Sequence, residues 1–341
     1  MSDAPFRDAR RALLRAAFTS GALLRAAAAG TASALAQGVV AQPAWPTRPL
    51  TLIVPFAPGG VADLTARAVA TAMSESLGRP IVVDNRPSAG GIAATGAAVR
   101  AAPDGHTLLL LSNANAISAS LFRKLPYDVS RDLAPVGTLG FFDLALCVSA
   151  GSRFRTLGEL VADARARPGK LTIGTIAIGS TQHLAAELFL QRAGIEAVVV
   201  PYKATPAVLT ALRAGEIDLA FEILAPLLPQ LEAGTLRALA VGAARRNPAL
   251  PAVLTALEAG IPDYEVASWN ALAAPAGAPA PVIARLEAAT RQALADPAVR
   301  QRLQGLGVRP QAGGPAELAA LLEREIRRWG DIIRKAGIAP Q

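Results

Sequence analysis

Leu50-Thr51-Leu52-Ile53-Val54-Pro55-Phe56-Ala57-Pro58-Gly59-Gly60-Val61-Ala62-Asp63 is the stretch whose reading decides the fold. Leu50 to Val54 is an apolar run of strand length, and a helical pattern follows over Ala62–Leu77. Between them two prolines stiffen the chain, and Gly59-Gly60 lets the backbone turn and approach a bound group closely. The first N–H groups of a helix after such a turn carry positive partial charge and suit a carboxylate or phosphate. Strand, glycine turn and helix in that order are the unit from which α/β folds are built.

The same alternation continues along the chain. Ile81–Asp84 and Thr107–Leu111 read as strands, with a helix over Gly91–Ala101. A second set has strands at Phe141–Val148, Leu171–Gly174, Ala197–Val200, Leu219–Phe221 and Ala238–Val241. Its helices are Thr156–Ala166, Thr181–Ala193, Thr205–Ala214 and Ala225–Ala233. After a strand at Trp269–Ala274, three more helices follow: Pro281–Ala295, Pro297–Gly305 and Pro315–Lys335. Short strands separated by helices predict α/β layers around a largely parallel sheet. At 341 residues the chain has room for two lobes or one large domain.

Composition narrows the function. The formal charge is +8, but residues 1–36 hold five arginines against two aspartates, and the rest is close to balanced at 29 basic and 24 acidic residues. No Lys/Arg tract with interleaved aromatics is present, so nucleic acid is not the expected partner. The single cysteine, Cys147, sits in an apolar run and reads as a buried structural thiol. Two histidines, His106 and His183, give no metal-ligand pattern, and His183 reads as a structural hydrogen-bonder. Neither a metal nor a cofactor is expected. Nucleophile-elbow, phosphate-loop and dinucleotide-turn motifs are missing from the sequence, which leaves an enzyme without a reactive constellation.

The N-terminal residues 1–41 have a basic start, an Ala/Leu-rich middle and small residues before a polar segment, the parts of an export signal. Ala34-Leu35-Ala36 before Gln37 and Val39-Val40-Ala41 before Gln42 both fit a cleavage site, and Arg10-Arg11 resembles a twin-arginine signal. Beyond residue 42 no apolar run reaches membrane length, which predicts a soluble, periplasmic mature chain.

Further motifs recur in a fixed order: Trp45-Pro46-Thr47-Arg48-Pro49, Val83-Asp84-Asn85-Arg86-Pro87-Ser88-Ala89-Gly90-Gly91, Ala102-Pro103-Asp104-Gly105-His106, Val200-Pro201-Tyr202-Lys203 and Ser268-Trp269. With the Pro55–Asp63 stretch they resemble the tripartite tricarboxylate transporter (Bug/TctC-like) solute receptors over roughly residues 45 to 338. That resemblance implies a two-lobe type II periplasmic-binding-protein fold with a hinge and an interlobe cleft. It implies lobe 1 at residues 42–146 and 269–341, and lobe 2 at 147–268. The implied ligand is a small organic carboxylate or an amino acid. The implied partners are the membrane subunits of a tripartite transporter, or a sensor kinase, with the receptor itself a monomer. A sensing role shares every binding residue with transport, and a periplasmic α/β enzyme is the remaining alternative.

The resemblance also places candidate ligand-binding residues. Phe56, Ala57, Gly59 and Gly60 form the first loop, with Asp63 either in that loop's service or complementing the helix dipole. Ser88 and Gly90 open the next helix, Ser88 standing where the family has glycine. Ser112 and Asn113 lie at the carboxyl end of a strand, where ligands of α/β sheets gather or where helices are capped. Ile176, Gly179, Ser180 and Thr181 form the corresponding turn of the second set, with Ile176 and Ile178 giving an apolar wall. Tyr202 offers a ring and a hydroxyl. Glu222 replaces the family's commoner aspartate, and reads either as a partner for a ligand ammonium or as a surface charge at a strand end.

The prefix generates the first prediction. Protein recovered from the periplasm should begin between residues 37 and 45 by intact mass; a protein that keeps Ser2 sinks the export reading.

Overall fold

The computed structural model describes residues 45–341, and the expected export segment 1–41 lies outside them. Pro46–Gln341 clusters as one compact unit. The first strand, β1 (Leu50–Val54), is followed by α1 (Val61–Leu77), β2 (Ile81–Asn85), α2 (Ile92–Val99), β3 (Thr107–Ser112) and α3 (Asn113–Leu121). Then come β4 (Leu133–Ser149), α4 (Leu157–Ala166), β5 (Leu171–Ile176), α5 (Thr181–Ala193), β6 (Ala197–Tyr202), α6 (Thr205–Ala214) and β7 (Leu219–Ile223). The chain ends with α7 (Leu228–Glu232), β8 (Leu236–Val241), β9 (Ala267–Pro275), α8 (Ala280–Ala295), α9 (Pro297–Gly305), β10 (Val308–Gly313) and α10 (Pro315–Lys335).

The sheet runs in the order β2-β1-β3-β9-β4-β7-β5-β6, with β8 and β10 also paired to β4. It is mixed, and this corrects the expectation of a largely parallel sheet. β2, β1 and β3 are mutually parallel, as are β6, β5 and β7, but every pairing of β4 is antiparallel and so is that of β9 with β3. The parallel strands come from strand–helix–strand crossovers, whereas β4 and β9 are long connectors that run back between the two sets.

β4 changes partners along its length. Leu133 to Asp143 pair with β9, and Thr138 to Phe142 also pair with β10. From Leu144 onward the partners are β7 and β8. The switch falls at Asp143–Leu144, and the return strand β9 begins opposite Asp143 at Ala267. Asp143 is buried there, its Oδ2 accepting from Asn247 Nδ2 at 2.8 Å and its Oδ1 lying 3.5 Å from Arg309 of β10.

Alternation sets the two faces of the first strand set. Ile53, Leu109, Leu111, Ala271 and Ala273 point into one core with Ala94, Ile117, Leu318 and Trp329 from α2, α3 and α10. The other face carries Leu52, Leu108, Leu110 and Leu272 under α1, where Thr290 Oγ1 of α8 reaches Met73 Sδ at 3.6 Å. In the second set Phe221 and Tyr264 flank Phe189 at ring distances of 5.4 and 5.9 Å. Cys147 is fully buried and its thiol is pushed far upward, chiefly by desolvation, consistent with an inert core residue.

Gly140 lets β10 lie against β4. A Cβ there would stand 2.7 Å from the Arg309 carbonyl oxygen and 2.8 Å from Val308 Cγ1. Gly140→Ala is therefore expected to lower stability by about 1–3 kcal/mol in denaturant melts, while Gly151→Ala, whose Cβ meets nothing within 4 Å, should change it little. Equal effects would contradict the packing account.

Candidate functional site

β1, β2 and β3 are parallel, so their carboxyl ends share one edge of the sheet with the start of the antiparallel β9. That edge gathers the Pro55–Gly60 loop, the Ser88–Gly91 turn and the Ser112–Asn113 junction. The second set does the same at the ends of β5, β6 and β7, where Ile176, Tyr202 and Glu222 sit.

In the first loop Phe56 is half-buried, whereas Ala57, Pro58, Gly59 and Gly60 are exposed. Gly59 has φ 84°, a left-handed conformation that favours glycine. Asp63 holds this turn. Its Oδ2 accepts from the Gly59 N–H at 2.8 Å and from Arg67 Nε at 3.0 Å, and its Oδ1 accepts from Asn85 Nδ2 at 2.8 Å. Burial pulls the Asp63 carboxyl upward, but these bonds outweigh it and hold the group below its ordinary range. Asp63 thus shapes the loop through its side chain; Asn85 adds a bond from the same Nδ2 to the Phe56 carbonyl at 3.0 Å.

Ser88 and Gly90 have local roles. Ser88 Oγ accepts from the Ala93 N–H at 3.1 Å, and a Cβ on Gly90 would meet Ser118 Oγ at 2.4 Å. Ser112 begins α3 with reciprocal help from Asn115, whose Oδ1 accepts from the Ser112 N–H at 3.0 Å.

Asn113 joins the two strand sets. It is 1% exposed; its Oδ1 accepts from Trp329 Nε1 at 2.9 Å, which fixes the amide orientation, and its Nδ2 donates to Thr181 Oγ1 at 3.2 Å. Thr181 is the first residue of α5, so this bond ties the start of α3 to the start of α5. The same approach is visible at Gly179, where a Cβ would lie 2.1 Å from Leu121 Cδ2. Ser180 caps α5, accepting from the His183 N–H at 3.1 Å and donating to the Ile176 carbonyl at 3.1 Å. His183 is buried, and desolvation lowers its pKa; its neutral Nδ1 accepts from the Gly179 N–H at 3.5 Å.

Tyr202 lies beside Ile176, with its ring over Gly174, and Ile178 is exposed. Glu222 is the correction in this half. It is fully buried, which overturns the surface-charge alternative. Gln182 Nε2 at 3.3 Å, Thr205 Oγ1 at 3.0 Å and the Ile223 N–H at 3.3 Å all donate to its Oε2, while Oε1 has no protein partner. Desolvation raises its pKa to about 7 despite those bonds. With a pKa of about 7 this carboxyl is divided between its neutral and charged forms near neutral pH, so it is not a fixed charge.

Two site features escaped sequence reading. One is the Asn113–Thr181 bond. The other is Asn270 on β9, fully buried with neither side-chain polar atom partnered; the signal was a lone amide inside the apolar run Trp269–Ala274. Among the described residues no group of acids, histidines or cysteines is arranged to hold a metal ion.

Residues 65–338 match the family described as tripartite tricarboxylate transporter family receptor (TctC). The chain belongs to that family. It is therefore a receptor of periplasmic solute transport and not an enzyme. It is 36% identical over 295 residues to protein BugT of Bordetella pertussis, covering 86% of this chain and 90% of that one. Among solved structures, Rpa4515 of R. palustris with adipate is 36% identical with a TM-score of 0.76, covering 87% of this chain and all of that one. MatC of Rhodopseudomonas palustris with bound malate is 33% identical with a TM-score of 0.72, covering 85% and 100%. The α/β fold read from the sequence is that of these periplasmic binding proteins. No helix among the described residues is long and apolar enough to cross a membrane.

Glu222 supplies a pH prediction. Its folded pKa, about 7, lies above the ordinary 4.5, so between those values the native state binds more protons than the unfolded chain. Its contribution to stability is complete below 4.5 and is lost as pH rises through 7. Glu222→Gln should thus gain in unfolding free energy relative to the parent on going from pH 4.5 to pH 8, by on the order of 3 kcal/mol at most in denaturant melts. A parent–variant gap that stays constant with pH would refute the buried acid.

Proposed function

We propose that this receptor holds a small organic carboxylate, without an amino group, between two lobes and delivers it to the membrane subunits of a tripartite transporter. The Asn113–Thr181 bond carries the reading: it draws the starts of α3 and α5 together, and Gly179 just ahead of α5 packs against Leu121 of α3. Helix-start N–H groups lack intrahelical partners, and paired on one anion they hold a carboxylate without arginine. The solved relatives support the ligand class, one with adipate and the other with malate.

In this reading residues 42–146 with 269–341 form one lobe, residues 147–268 form the other, and β4 with β9 is the hinge. The side-chain contacts leave Phe56, Ala57, Gly60 and Thr181 as the main backbone contributors to binding, because the Gly59 and Gly179 N–H groups already donate to Asp63 and His183. Residues 1–41 direct export to the periplasm, where the mature chain is soluble.

The test is calorimetry with adipate, malate and succinate against maltose. At least one acid should bind and the sugar should not; the converse overturns the ligand class. Thr181→Val removes the oxygen that accepts from Asn113 with little change of shape. It should weaken the bound acid by about three- to tenfold and lessen the compaction seen by small-angle scattering on binding. Unchanged affinity and compaction would show that the contact has no part in closure.

A further inference from the structure

Asn270 has an unusual place in the fold. It pairs with Ser112 across β3 on one side and with Gly140 of β4 on the other, and it is 0% exposed. Neither its Nδ2 nor its Oδ1 has a protein partner. A buried amide with both groups unmet is destabilising, and an apolar residue would suit a strand whose neighbours are Trp269, Ala271 and Leu272.

Register shows where the side chain is aimed. Direct cross-strand partners share a face, so Asn270 lies with Ser112, and with Leu110 and Leu272, on the face covered by α1. Ile53 stands beside Leu109; carrying that register three residues on sets Phe56 beside Ser112. The Pro55–Gly60 loop leads from this edge to α1 on this same face. Asn270 is thus level with the ligand loop and beneath it. A bulge re-aims the strand at this point: Thr138 pairs with Ala271 and Gly140 with Asn270, leaving Leu139 as the extra residue.

We infer that Asn270 is a specificity-determining residue of the ligand site, reading a hydroxyl on the bound acid. This rests on the carboxylate reading above. An amide presents one donor group and one acceptor together. A carboxylate only accepts and satisfies the Nδ2 side alone. A hydroxyl both accepts and donates, and so meets Nδ2 and Oδ1 as a pair. A deoxy acid leaves the Oδ1 unmet, and sites built to bond a hydroxyl reject analogues that lack it.

Matched pairs decide it: malate against succinate, lactate against propionate, citrate against tricarballylate, each titrated calorimetrically into the parent and Asn270→Leu. The parent should favour the hydroxy member of the pair it binds by about five- to tenfold. Asn270→Leu should bring the two within about a factor of two and should melt no lower than the parent without ligand. Asn270→Ala, which adds no bulk, gives the same readout if leucine disturbs the strand. A hydroxyl preference that survives both substitutions, or a parent that binds acids with no such preference, overturns the inference. If the parent binds neither these acids nor adipate, the carboxylate reading fails and the inference falls with it; binding of adipate alone overturns the inference and leaves the carboxylate reading standing.

Discussion

One strand belongs to both halves of the sheet, and the rest of the structure depends on that. β4 is 17 residues long, roughly 55 Å of extended chain at the usual rise, and each half of it completes a different hydrogen-bonded ladder. On the two-lobe reading proposed above, the two parallel sets tilt against each other by bending β4 and β9 near Asp143 and Ala267. Asp143 restrains that bend, since its carboxylate holds Asn247 from the loop after β8 and faces Arg309 on β10. A buried carboxylate with partners on both sides of a bend favours one geometry over its neighbours, because each alternative leaves charge less well paired.

At the other side of the cleft, the link is lighter. Asn113 and Thr181 make a single neutral bond, which contributes about 1 kcal/mol net. Under the proposed closure that is fitting: a contact that forms and breaks with the ligand has to be weak beside the hinge that guides it. Trp329 improves it at little entropic expense. By holding Asn113 Oδ1, the indole fixes the amide before Thr181 arrives, so closure orders fewer groups.

Much of the fold was legible because its strands are continuous apolar runs and its helices carry clear punctuation. α6 is one case, with Pro206 in its first turn and Gly215 at φ 75° ending it. What was not legible depends on partners distant in sequence. α3 reads Asn-Ala-Asn-Ala-Ile-Ser-Ala-Ser-Leu, where two asparagines and two serines suggest a turn, and its helix rests on Ser112 and Asn115 at its start and on burial of Ile117 and Leu121. β10 contains Pro310 and Gly313 and is a strand only because β4 offers it an edge. The first half of β4 carries Pro135, Gly137 and Gly140, which look like loop residues until bulges accommodate them. For the site, the loops were readable from glycine and proline, but the division of labour within them was not. Asp63, Ser88 and Ser112 turn out to hold their own backbones.

Glu222 and Asn270 share a pattern that sequence shows only as an interruption. Each is one polar residue in an apolar strand, and each retains polar atoms without a protein partner while fully buried. Stability alone would replace both with hydrocarbon, since an unmet buried group costs about 1–3 kcal/mol. Their positions argue for something other than stability: one stands near the carboxyl edge of each strand set, where parallel strands end and helix starts converge. Under the proposed function, helix-start N–H groups take the charge of the bound acid and the buried polar residues are reserved for the ligand's remaining atoms, which is how a fold that captures many acids by the same backbone distinguishes among them.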